Sequence, residues 1–170
     1  MLMLIHEKVG SVNTVIIGNR TVDKLVIEWY ETNKRIMHRQ TQSGKVVSLK
    51  FLQQIPNLKD GDILWQDEYV IIAVEINQCE AMVIKPATIL EAASACYEIG
   101  NKHMSLFYEG DELLVPFEAP LFRLMQAAGY AIKVEERKLT NAVRTTVSPH
   151  AHQGNSTSLF NKILQLTTSS

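Results

Sequence analysis

Histidines are the side chains of this sequence best suited to chemistry. Two of the five, His150 and His152, stand one residue apart in the polar run Ser148-Pro149-His150-Ala151-His152-Gln153-Gly154. Imidazole is the commonest protein metal ligand and suits zinc, copper and nickel. Two imidazoles on a tail can take up a metal and let it go, although paired surface histidines also arise with no ligand role. His103 lies in Gly100-Asn101-Lys102-His103-Met104, a polar junction that follows a helical pattern. It reads as a solvated loop histidine or as a ligand. His6 and His38 sit in or beside strand-like segments and read as exposed strand residues.

One loop histidine cannot hold a metal tightly, and the chain is poor in further ligands. It has no H-E-x-x-H motif, no Cys/His cluster and no four-ligand set of the structural zinc kind. The simplest remedy is a two-fold dimer, because an isologous interface brings the same residue from both subunits together. Two His103 side chains, with His150 or His152 added, would supply imidazole nitrogens and leave the remaining positions to water. Such a shared site suits delivery better than storage. Each imidazole must be deprotonated to bind, so affinity should weaken as pH falls through the ordinary histidine range near about 6.5.

Other chemistries find no support. There is no G-x-S-x-G elbow, no P-loop and no G-x-G-x-x-G, so an enzyme is not expected. Glu109, Asp111 and Glu112 read as a solvated hairpin tip. A net charge of −1 argues against a broad nucleic-acid-binding face. No run of about 18 apolar residues could span a membrane, and the N-terminus lacks a signal-peptide pattern, which makes the cytoplasm the default compartment. Cys79 and Cys96 are far apart and are expected as free thiols, with Cys96 in the core.

The elements that must position these residues fall into two groups. Residues 1–77 read as short strands with frequent turns: 12–17, 24–30, a hairpin of 35–40 with 46–49, then 63–65 and 69–74. That pattern suggests a small barrel or sandwich. From residue 78 the pattern changes. Ala81–Lys85 reads as a strand, and Thr88-x-x-Glu91 has the form of a capping box. A helix with a wide apolar face (Ile89, Leu90, Ala92, Ala93, Cys96, Tyr97, Ile99) should follow and end near Gly100-Asn101. A second hairpin at 105–116, a helix opening at Pro120 and closing at Gly129, and a strand at 131–135 complete the order β-α-β-β-α-β. The class is therefore α+β: a β-rich N-terminal domain, a ferredoxin-like domain over 78–147 and a flexible tail over 148–170.

Taken together, Tyr97-Glu98-Ile99-Gly100-Asn101-Lys102-His103, Leu106-Phe107-Tyr108, Pro116-Phe117-Glu118-Ala119-Pro120 and Ser148-Pro149-His150 resemble the urease accessory nickel chaperone family. The resemblance spans nearly the whole chain and is most specific over 97–129, where G-N-[KR]-H is the family's hallmark. It implies a peptide-binding-type N-terminal domain, a ferredoxin-like metal-binding domain and a homodimer. It implies that His103 of each subunit meets one nickel ion, with His150 and His152 as added ligands. It also implies partners: the urease accessory GTPase, and the urease apoprotein complex with the other accessory proteins. Zinc or copper would bind such imidazoles too, since affinity rises toward copper. Two departures stand out: the long histidine-rich terminus of some members is missing, and so are the paired histidines that some carry at the strand matching 111–114. The competing expectation is a non-metal interaction module that serves assembly or folding.

Overall fold

The structure, a computed structural model, describes residues 2–143. The tail, with the expectations for its flexibility and for His150 and His152, lies outside the described residues.

Seven strands build the first part: β1 (Leu2–Ile5), β2 (Gly10–Ser11), β3 (Thr21–Ile27), β4 (Ile36–Gln40), β5 (Val46–Lys50), β6 (Asp62–Gln66) and β7 (Val70–Ile76). They form two sheets, ordered β1-β5-β4 and β2-β6-β7-β3. Val47 and Leu49 of the first sheet meet Leu25, Ile27, Leu64, Ile72 and Val74 of the second in one core. Each such buried side chain contributes about 1.5–3 kcal/mol. The expected β4–β5 hairpin is present. Buried Asp23 ties it to β3, accepting from the Thr41 hydroxyl at 2.8 Å and the Ser43 amide at 3.0 Å.

Two expected strands end differently. Residues 12–17 form a looped cover, not a strand. The amides of Thr14 and Val15 both donate to the Ser11 carbonyl, and the Ser11 hydroxyl accepts from Asn13. Such local bonds compete with a ladder, while Val12, Val15 and Ile17 still pack on Ile63 and Ile71. The segment read as a strand over 24–30 stops at Ile27 and turns into a 3-10 helix at Trp29–Glu31. Buried Glu31 accepts from the Glu28 amide at 3.0 Å and from Lys34 at 2.9 Å, and it also bonds Arg39.

The second part runs β8 (Gln78–Ile84), α1 (Ile89–Asn101), β9 (Phe107–Glu109), β10 (Glu112–Pro116), α2 (Ala119–Ala127) and β11 (Ile132–Lys138). Its sheet has the order β11-β8-β10-β9, and every neighbouring pair is antiparallel. The α+β class is as expected. Both helices cover one face, where Ala95, Ile99, Leu121 and Met125 pack on Met82, Ile84 and Val115. The other face packs Ala81, Val83, Phe107, Leu114 and Leu139 against Trp29 of the first part. Trp29 and Phe107 meet edge to face at 5.5 Å. Because both faces are covered, Ala81, Met82, Val83 and Ile84 are all buried, the continuous apolar run of a central strand.

Candidate metal centre

Helix α1 positions His103, and the sequence shows why it starts and stops where it does. The Thr88 hydroxyl accepts from the Glu91 amide at 3.1 Å. The Glu91 carboxylate reaches back to the Ala87 amide at 2.9 Å, one residue before the position a strict capping box would use. At the other end the expected stop at Gly100-Asn101 moves outward. The left-handed residue is His103, at φ 55°, and Gly100 lies inside the last turn. The Met104 amide donates to the Ile99 carbonyl at 3.3 Å and the His103 amide to the Gly100 carbonyl at 2.9 Å. These two bonds make a Schellman closure. Its usual apolar contact is present as well, with Met104 packed against the core that contains Ile99. That packing is the physical reason the helix closes at His103.

The left-handed position favours glycine, because a side chain there crowds the following carbonyl by about 1–2 kcal/mol. His103 holds it while its side chain is exposed, so no burial compensates. Residues kept in such conformations cluster at functional sites. Gly100 departs from expectation in the opposite sense. A Cβ added there would meet nothing within 4 Å, and its φ is ordinary. Among the described residues neither the backbone nor the packing requires glycine there, so they leave open room at the last turn of α1, one turn before His103. The helix C-terminus also carries a partial negative charge, which favours a cation beside it.

The apolar face expected to bury α1 does so only in part. Ala95 and Ile99 are buried, Cys96 is half-buried, and Ile89, Leu90, Ala93 and Tyr97 are exposed. Ile89 is 90 % and Tyr97 70 % exposed. Residues 89, 93 and 97 follow i, i+4, i+8 spacing and form one outward stripe that leads toward Gly100 and His103. The core expectation failed here because periodicity finds a face without saying what covers it. Half of the apolar girdle faces the sheet, and half faces outward.

Other candidates fall away from this centre. Among the described residues no three His, Cys, Asp or Glu side chains come together as a metal-ligand group. His6 bonds the Lys50 carbonyl at 3.1 Å in the first part, and His38 is exposed on β4. Both cysteines are free thiols. Burial pushes each of them up, and Glu136 and Glu28 add to the effect at Cys79, so neither is a ready thiolate. Glu109 and Glu112 bond Arg137, as does Glu135 at 2.8 Å, which engages these carboxylates in ion pairs. No helix among the described residues is long and apolar enough to cross a membrane.

Comparison with known proteins decides the lineage. Residues 5–77 match the family model for the UreE urease accessory protein N-terminal domain, and residues 80–158 match that for its C-terminal domain. The chain belongs to the UreE urease accessory protein family. It is 44 % identical to the urease accessory protein UreE of Flavobacterium johnsoniae over 164 residues, 96 % of this chain and 99 % of that one. The Helicobacter pylori protein of the same name is 37 % identical over 154 residues, 88 % of this chain and 90 % of its own. The one from Acetivibrio thermocellus is 31 % identical over 150 residues, covering 88 % and 97 %. His103 falls within the region matched by the C-terminal model of this family, and so do His150 and His152.

Proposed function

We propose that this chain is a nickel carrier for urease maturation, binding the ion as cargo at the interface of a homodimer. The observation that carries the reading is His103: an exposed imidazole held at φ 55°, where glycine is favoured, at the end of an apolar stripe that no described residue covers. A two-fold contact along Ile89, Ala93 and Tyr97 would bury that stripe and bring two copies of His103 together. The open room at Gly100 would let the second subunit approach. Membership of the urease accessory family supports the maturation role.

In this reading residues 78–147 form a ferredoxin-like metal-binding domain, which the strand order β11-β8-β10-β9 supports. Residues 1–77 form a separate β-rich, peptide-binding-type domain, and residues 148–170 form the tail. The mechanism is ligand exchange without catalysis. The paired His103 imidazoles hold nickel shallowly, and His150 and His152 close and open the site. Zinc and copper compete for the same nitrogens. The carrier works in the cytoplasm with the accessory GTPase and hands its ion to the urease apoprotein complex. One feature favours a second reading, in which the chain serves as an interaction module without metal. Leu2, Leu4, Ile36 and Val46 are exposed on the outer face of the β1-β5-β4 sheet, a surface suited to an apolar polypeptide.

Nickel calorimetry on the metal-free full chain separates the two. Wild type should bind one tight ion per dimer, and His103→Ala should lose that event while remaining dimeric. Unchanged tight binding in His103→Ala would sink the nickel assignment. No uptake by wild type, together with binding to urease apoprotein, would establish the second reading.

A further inference from the structure

The outer face of the β1-β5-β4 sheet is built in rows. Parallel pairing sets Leu2 beside Val46 and Leu4 beside Ser48. Antiparallel pairing on the other side of β5 sets His38 beside Ser48 and Ile36 beside Lys50. Val47 and Leu49 point into the core, so Val46, Ser48 and Lys50, which alternate with them, point outward. The four apolar members, Leu2, Leu4, Ile36 and Val46, are all exposed.

Two observations say what the face lacks. The first is charge. Residues 32–58 hold Lys34, Arg35, Arg39, Lys45 and Lys50 and no Asp or Glu, in a chain whose net charge is −1. Glu31 pairs with Lys34 and Arg39, and Asp23 pairs with Lys45. Lys50 stands half-buried on the middle strand, and among the described residues it has no ion-pair partner. The second is Ser48. It is fully buried at the centre of the face, and among the described residues its hydroxyl is the one buried side-chain polar atom with no hydrogen-bond partner. A buried hydroxyl left unpaired costs stability, and each such group in a native fold calls for a reason.

We infer that this face binds an extended, apolar polypeptide segment that carries carboxylates. Its apolar side chains lie on Leu2, Leu4, Val46 and Ile36, a carboxylate meets Lys50, and a polar group pairs with the Ser48 hydroxyl. Leu4 and His38 flank that hydroxyl and are exposed, so a rotamer change in either uncovers it. The size of the face selects the occupant. Strands about 4.8 Å apart and rows about 6.8 Å apart give a footprint of about 10 Å by 14 Å. That is far below the roughly 800 Å² per partner of a stable dimer, and it matches about four or five extended residues. The inference rests on the polypeptide surface noted for the second reading and deepens it, and it holds equally if the chain carries nickel.

The test uses the full chain and a fluorescein-labelled peptide of about eight residues that alternates leucine with glutamate, beside a counterpart with lysine for glutamate. Fluorescence anisotropy should show the acidic peptide binding at least about tenfold more tightly than the lysine peptide, and Lys50→Glu should reverse that preference. Ser48→Ala should raise the Tm of the free protein yet weaken the acidic peptide by about threefold to tenfold, the loss of one hydrogen bond. No binding of the acidic peptide, equal binding of the two peptides, or wild-type affinity in both variants overturns the inference. So does Lys50-dependent binding of single-stranded DNA or phosphatidylserine vesicles without binding of the acidic peptide. A second measurement needs no substitution. Amide resonances of Leu4, Ser48 and His38 should shift when the acidic peptide is added to wild type, and those of the α1 stripe should not. Shifts confined to α1 would also overturn the inference. Nickel calorimetry on Lys50→Glu should match wild type, so this inference and the nickel reading fail separately.

Discussion

Replacing His103 with glycine should make the metal-free protein more stable while destroying its proposed use. The residue is left-handed at φ 55° and exposed, so its removal takes away strain and little packing. Releasing a non-glycine residue from that region returns about 1–2 kcal/mol. Glycine also gives the unfolded chain more freedom, which takes back about 0.4–1 kcal/mol. The net is a gain of about 0.5–1 kcal/mol, or about 1–4 °C in Tm for a chain of this size. His103→Ala keeps a Cβ in the same conformation and should stay within about 0.5 kcal/mol of wild type. The two Schellman bonds are main-chain bonds, so both variants retain them. Urea and thermal unfolding of chelator-treated protein would measure the order, since bound metal would add its own stabilisation. Nickel titration of the same samples should show that both variants have lost the tight event. If the glycine variant is no more stable than the alanine variant, His103 carries no conformational strain, and the argument that this strain marks function fails.

Gly100→Ala should likewise stabilise the metal-free subunit, by about 0.5–1 kcal/mol, because its Cβ meets open space within an ordinary helical turn. The same change should weaken dimerisation, as read by sedimentation, if the second subunit approaches there. Tyr97→Glu puts a charge in the middle of the exposed α1 stripe and should shift sedimentation to the monomer, with a Tm that no longer depends on protein concentration. A Tyr97→Glu protein that stays dimeric would move the interface elsewhere. Acid should destabilise the first part through Asp23 and Glu31. Burial pushes both carboxyls up, but their hydrogen bonds and the cations Lys45, Lys34 and Arg39 outweigh it and hold both below the usual carboxylate range. Their contribution is therefore full above the ordinary carboxyl pKa and is lost as pH falls through the lower folded values, below about 4. Glu31→Gln should flatten that acid limb in pH-dependent urea titrations, and an unchanged limb would contradict the assignment.

What the sequence made legible depended on how local the cause was. Thr88 and Glu91 announced the start of α1 because a cap is built from neighbours. The β4–β5 hairpin and the β-α-β-β-α-β order of the second part could be read from turn residues and periodicity. The parallel pairings of β1 with β5 and of β3 with β7 could not, since distant segments set them. Residues 12–17 misled because an apolar β-branched run serves equally well as a cover over Ile63 and Ile71. At the site, residue type alone left His103 as either a solvated loop histidine or a ligand, and the family resemblance over Gly100-Asn101-Lys102-His103 made it the candidate. Its left-handed backbone depends on Met104 reaching the core, a tertiary contact. The outward half of the α1 girdle was misread as core for the same reason.

Anomalous diffraction at the nickel edge, from crystals of the nickel-loaded full chain, would locate the bound ion. A site shared by two copies of His103 should give one strong peak on a two-fold axis between subunits, within coordination distance of an imidazole nitrogen of both side chains. A peak bound by residues of one subunit away from His103, or by His6 or His38, would contradict it.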